Sequence, residues 1–266
     1  MQILFTSRDP AASEMRDLTQ RRLRFVLRRL AWMVPQATVR LTDVNGPRGG
    51  DVAGAALTTL RTHRVLRNTY ALLSMTLLFS AAVAAASVTL ALPAPGLVLT
   101  LAGFFGLFFL VSKVRDSAWA LPAVFALTGF MGYTLGPLLT RTLSLPGGAQ
   151  VVTLALAATG ATFLAFSAYA LASRRDFSFM GGFLFAGMVI ALLLGLGAVF
   201  MQIPALGLAV AGMVALLSAA LILFETSRVV NGGETNYVMA TVGLYLSVFN
   251  LFSSLLSLLG FGGSND

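Results

Sequence analysis

The sequence predicts an all-α membrane protein: a seven-transmembrane-helix bundle with a short N-terminal β-α-β soluble fragment. Three observations predict it. Hydrophobic residues make up 57% of the 266 residues and charged residues 11%, where a soluble domain carries roughly 25% charged residues. From Asn68 onward there are seven apolar runs, and a bilayer-spanning helix needs about 20 residues. The net charge of +8 sits at the front. Residues 1–67 hold twelve arginines against five acids, a net +7, and residues 68–266 hold six basic residues against five acids, a net +1.

The front end comes first. "MQILFTS" alternates apolar and polar residues like a strand. Asp9 then Pro10 reads as a helix start, with Asp as the cap and Pro at the first position. Leu23, Val26, Leu27, Leu30 and Met33 form an apolar stripe at helical spacing, interleaved with Arg21, Arg22, Arg24, Arg28 and Arg29. "ATVRLTDVNG" alternates as a second strand and closes on a turn signal. Residues 1–50 are therefore a soluble basic β-α-β fragment, and 51–67 are a cytoplasmic linker. The stretch "NGPRGGDVAGAALTTLRTH" reads as Gly-rich and unstructured. An Arg-rich helix of this kind fits an anionic inner leaflet better than nucleic acid, so the bilayer is an expected partner and nucleic acid or a ribosome is not.

The transmembrane domain, 68–266, divides at its turn chemistry. The runs are 68–92, 96–112, 119–140, 150–172, 180–201, 204–226 and 237–259, broken by "LPAPG", "KVRDS", "SLPGG", "SRRDFS", "QIP" and "NGG". Basic residues flank alternate breaks. Arg61, Arg64 and Arg67 precede the first run, Lys113 and Arg115 follow the second, Arg174 and Arg175 the fourth, and Arg228 the sixth. Only Arg141 lies on the other side. Basic loops face the cytoplasm, which places the N-terminus inside and the C-terminus outside. Within the runs, Gly129, Gly132 and Gly136 share one face of the third, and Gly243, Ser247, Asn250, Ser254 and Ser257 one face of the seventh. Small residues of this kind let helix backbones approach closely. A carboxamide in lipid, as at Asn250, needs a partner or lines a cavity.

The chemistry is sparse. With no cysteine, thiol catalysis, disulfides and thiolate metal sites are excluded, and the single His63 excludes multi-histidine metal sites. There is no GxxxxGK[ST] phosphate loop and no HExxH. Asp116 and Asp176 follow basic residues in loops and read as solvated. No catalytic residue, cofactor or metal site is expected. What stands out is "LFETSRVVNGGETNYV", which puts Glu225 and Glu234 between two apolar runs. Glu225 is either an interfacial acid paired with Arg228, one turn on at i+3, or a residue with an ion or proton role. Glu234 sits before the seventh run, where it suits the positive end of that helix.

The body resembles the Bax inhibitor family. The resemblance is carried by "THRVLRNTYALLSMTLLFSA", "LPAPGLVLTL", "FALTGFMGYTLGPLL", "SAYALASRRDFSFMGGFLFAG" and "ILFETSRVVNGGETNYVMATVGLYLSVFNLFSSLLSLLGF". It implies a seven-helix bundle with the N-terminus inside and no enzymatic activity. The bacterial branch it most resembles implies a modulator in the inner membrane that binds the AAA protease FtsH and restrains degradation of membrane proteins. Other membrane-protein quality-control factors would be further partners. The wider family implies an alternative, a calcium or proton leak gated by a carboxylate in span six and another in span seven. Glu225 falls at the first of these positions and Ser247 at the second, so one acid of the pair is replaced by a hydroxyl. Residues 1–50 separately resemble the first half of the ribosome hibernation-promoting factor family, in "MQILFTSRD", the Arg-rich helix and "VRLTDVNGPRGG". That family binds ribosomal RNA through a complete β-α-β-β-β-α domain, of which the remainder does not follow here.

Overall fold

A computed structural model describes the backbone of residues 2–6, 36–40, 49–173 and 175–262, and side chains within 64–173 and 175–260. The chain divides into two compact units, Met1–Leu60 and Arg61–Asp266. In the first, strands β1 (Gln2–Thr6) and β2 (Gln36–Arg40) pair in parallel, with Gln2 opposite Gln36 and Phe5 opposite Val39. A parallel pair needs a crossover connection. The Arg-rich helix expected there lies outside the described residues.

Seven long helices follow: α1 (Gly49–Thr89), α2 (Leu97–Val114), α3 (Ala120–Leu143), α4 (Gly148–Ser173), α5 (Gly181–Phe200), α6 (Pro204–Val230) and α7 (Tyr237–Gly262). A short 3-10 turn, Ser178–Met180, leads into α5. All seven are long and apolar enough to cross a membrane, the first over Arg64–Thr89. One expectation is corrected. Residues 51–67 are helical and continuous with the first span, because "DVAGAALTTLRTHRVLR" has one glycine among alanines, leucines and arginines, all strong helix formers.

Helix α7 is the centre of the bundle. It packs against α3, α4 and α6, and its interface with α6 is the largest. It also reaches α1, where the Thr241 hydroxyl donates to the Thr69 carbonyl. Its Tyr245 is fully buried, hydrogen-bonded through the phenol to the Ser80 hydroxyl of α1 at 2.7 Å and to the Thr128 carbonyl of α3 at 3.2 Å. One core joins Leu73, Val111, Val124, Leu127, Val242 and Leu244, and a second joins Ile222 of α6 to Val248 and Leu251 of α7. Leucines and phenylalanines such as Leu78, Phe109, Phe183 and Phe185 stay exposed on the outside. An apolar belt of that size suits lipid and not water.

The glycine stripe of α3 faces α1. A Cβ at Gly129 would meet the Phe79 ring, one at Gly132 the Ser80 backbone carbonyl, and one at Gly136 the Ser87 hydroxyl. Tyr245→Phe is expected to strand the Ser80 hydroxyl and lower stability by about 1–2 kcal/mol. Thermal unfolding in detergent checks this, and an unchanged midpoint would count against the phenol as a cross-brace.

Candidate functional site

The candidate site lies where α6 ends and α7 begins. Helix α6 stops because Gly232 adopts φ +75°, a left-handed conformation suited to glycine. The N–H groups of Gly233 and Glu234 then both donate to the Arg228 carbonyl, at 2.8 and 3.1 Å. This reversal brings Arg228 between two acids. One guanidinium nitrogen lies 3.5 Å from Glu225 and another 3.3 Å from Glu234. Arg228 also sits 5.5 Å from the centre of the Phe224 ring. The Glu225 side chain is 15% exposed and that of Glu234 19%. Carboxylates so withdrawn from water need a cation close by.

Gly243 of α7 makes room for Glu225. A Cβ there would come within 2.9 Å of the carboxyl carbon and 3.0 and 3.2 Å of its oxygens. Ser247, one turn further on, is buried and donates to the Gly243 carbonyl at 2.9 Å. Asn250 is half-buried on the same helix, and its backbone carbonyl accepts from the Ser253 hydroxyl. On α6, Ser218 lies two turns before Glu225 and is buried with its hydroxyl unpartnered. Of these groups, Glu225 and Gly243 meet directly between α6 and α7. Glu225 and Arg228 belong to one constellation with Glu234. Ser247 and Asn250 extend along α7 away from it.

Glu234 lies just before the start of α7. Asn236, not Glu234, caps α7: its carbonyl oxygen accepts from the N–H groups of Val238 and Met239 at 2.9 and 3.2 Å. Glu234 accepts from the Asn236 N–H at 2.9 Å. The Asn236 amide also donates to Asp116 at 2.8 Å and to the Arg115 carbonyl at 3.3 Å, fastening the α2–α3 loop to α7. Ser227 and Asn231 do the same for the α4–α5 loop. Ser227 donates to the Arg175 carbonyl and accepts from the Phe177 N–H, and Asn231 donates to the same carbonyl. Asp116 is exposed beside Arg115 at 3.4 Å. At Asp176, hydrogen bonds from the Ser178 hydroxyl and N–H hold the carboxyl below its ordinary range. Asparagine immediately before an apolar run is a helix-cap signal that could have revealed Asn236. Nothing local marks Ser227 or Asn231, whose partners lie more than fifty residues away.

Among the described residues, no group of three or more His, Cys, Asp and Glu side chains gathers as metal ligands would. Residues 62–265 match the family described as Inhibitor of apoptosis-promoting Bax1. The chain belongs to the Bax inhibitor family. The match leaves residues 1–61 outside it. The chain is 52% identical over 202 residues to an Escherichia coli K12 protein named Modulator of FtsH protease YccA, covering 76% of this chain and 92% of that one. The same identity and coverage relate it to a protein of Escherichia coli O6:H1 named Inner membrane protein YccA. An uncharacterized protein of Pseudomonas aeruginosa is 51% identical, over 76% of this chain and 91% of its own. With its seven apolar helices, this Bax inhibitor family member is a multi-pass membrane protein.

Proposed function

We propose that this chain is a non-enzymatic modulator that binds the membrane AAA protease FtsH and restrains its degradation of membrane proteins. The observation that carries the reading is the 52% identity, over nearly the whole bundle, to a protein named for modulating that protease. The polar groups at the α6–α7 turn support a structural role over a catalytic one. Arg228 is shared by two acids, and Asn236, Ser227 and Asn231 spend their bonds on caps and loops. The protein sits in the bacterial inner membrane with its N-terminus cytoplasmic and its C-terminus periplasmic. The clustering of Lys113, Arg115, Arg175 and Arg228 at one end of the bundle, with Arg141 at the other, supports that orientation. Residues 1–50 are read as a β-α-β appendage on the cytoplasmic side, and 68–266 as the Bax inhibitor domain. Tagged chain, solubilised in mild detergent from native membranes, is expected to retain FtsH through purification. Recovery of the chain free of FtsH, with the protease intact in the same extract, would overturn the proposal.

A second reading, a calcium or proton leak, is favoured by one observation: the Glu225 carboxyl lies against Gly243 of α7 inside the bundle. Its family partner position holds Ser247, whose proton goes to its own helix. Calcium flux into liposomes is expected to be weak and to lack a sharp pH switch from about pH 5 to pH 8, because Glu225 titrates as a single site with no second carboxylate to share its proton. Ser247→Asp restores a second carboxylate one turn from the Gly243 contact, and is expected to make the flux pH-dependent. A steep pH-gated flux in the parent, abolished by Glu225→Gln, would put the leak ahead of protease modulation.

A further inference from the structure

At the opposite end of α7 the structure holds a second polar site. A cavity of about 280 Å³ opens between the last turns of α3 and α7, and its lining includes Leu138, Arg141, Thr142, Ser144, Leu256 and Ser257. Arg141 has no acidic partner among the described residues, unlike Arg115 and Arg228. It is also the one basic side chain that the described residues place at this end of the bundle. The three hydroxyls have already committed their protons. Thr142 donates to the Leu138 carbonyl, Ser144 to the Arg141 carbonyl and Ser257 to the Ser253 carbonyl, all at 2.7–2.9 Å. Their oxygens remain as acceptors. The cavity thus offers one cation, several acceptors and leucine walls, at the end of two membrane spans.

We infer that this cavity binds the headgroup of an anionic phospholipid that carries free hydroxyls, of the phosphatidylglycerol type. The phosphate takes the fixed fork of the Arg141 guanidinium, which matches phosphate oxygens two at a time. The glycerol hydroxyls donate to Thr142, Ser144 and Ser257. Leu138 and the exposed Leu145, also in the lining, receive the first carbons of an acyl chain, at the depth where a span ends and headgroups begin. Choline fits poorly on both counts, being a cation beside an arginine and having no proton to donate. A free phosphate would gain the arginine but leave the leucine walls open.

The full-length chain in non-ionic detergent is titrated with phosphatidylglycerol, with phosphatidylcholine and with inorganic phosphate. Bound lipid is counted by native mass spectrometry, and the unfolding midpoint is followed in parallel. Phosphatidylglycerol is expected to bind about tenfold more tightly than phosphatidylcholine, a factor of the size that one or two neutral hydrogen bonds from its glycerol supply. Arg141→Gln, at an exposed position that leaves the core untouched, is expected to weaken phosphatidylglycerol severalfold and to narrow that preference to the share carried by the glycerol hydroxyls. Ser257→Leu, which fills the cavity without changing charge, is expected to weaken both lipids. Unchanged preference in Arg141→Gln would overturn the inference. So would displacement of phosphatidylglycerol by an equal concentration of inorganic phosphate, which would make the site one for free anions.

Discussion

Replacing Gly132 with leucine is expected to prevent α1 from docking on α3 and to leave little folded protein in detergent. The reason is what stands opposite. A side chain at Gly129 would meet the end of the Phe79 ring, which can rotate, and one at Gly136 would meet the Ser87 hydroxyl. A side chain at Gly132 would run into the backbone of Ser80, which cannot move without the whole helix. Overpacking of a well-filled interior costs about 1–3 kcal/mol per modest insertion, occasionally more. Here the displaced helix also carries the Ser80 hydroxyl that holds Tyr245 at the centre of the bundle. Gly106→Leu supplies the control, since nothing lies within 4 Å of a Cβ there. Unfolding midpoints and the yield of monodisperse protein should separate the two variants sharply. Equal behaviour would mean that the α1–α3 contact does not hold the bundle together.

Deleting residues 1–61 is expected to lengthen the half-life of the protein severalfold in cells with active FtsH, while binding is retained. An AAA protease must grip a free segment before it can pull. The loops on the Arg228 side of the bundle are poor handles. Asn236 fastens the α2–α3 loop, Ser227 and Asn231 fasten the α4–α5 loop, and Arg228 closes the α6–α7 turn onto Glu234. The deleted region precedes the family match, which begins at residue 62. The truncated bundle should therefore insert and fold, which protease protection in membrane vesicles would check. It should occupy the protease for longer and shield other membrane substrates. Pulse-chase half-lives of the full and truncated forms give the answer, and equal values would show that the segment is not the handle.

The membrane spans were legible in the sequence because their cause is local. A run of apolar residues long enough to cross lipid must be helical to satisfy its own backbone, and Pro, Gly and Asn mark where it stops. The third run, expected over 119–140, is Ala120–Leu143, and the seventh, expected over 237–259, spans Tyr237–Gly260. The helix over 51–67 is less legible, because the glycines that flank it signal a break while its alanines, leucines and arginines favour a helix. The stripe of Gly129, Gly132 and Gly136 was visible as a face, since helical periodicity is local too. That the face meets Phe79, Ser80 and Ser87 was not, because helix partnering depends on the shapes of two surfaces.

The same division runs through the candidate site. Glu225 and Arg228 are three residues apart on one helix, so their proximity follows from helical geometry alone. The fit of Glu225 against Gly243, the sharing of Arg228 with Glu234, and the reach of Asn236 to Asp116 are decided by tertiary structure. In a bilayer nearly every helix is apolar, so hydrophobic pattern says which segments are buried in the membrane but not which faces touch. Close packing and the need to satisfy each buried polar group choose the partners, and both are properties of the assembled bundle.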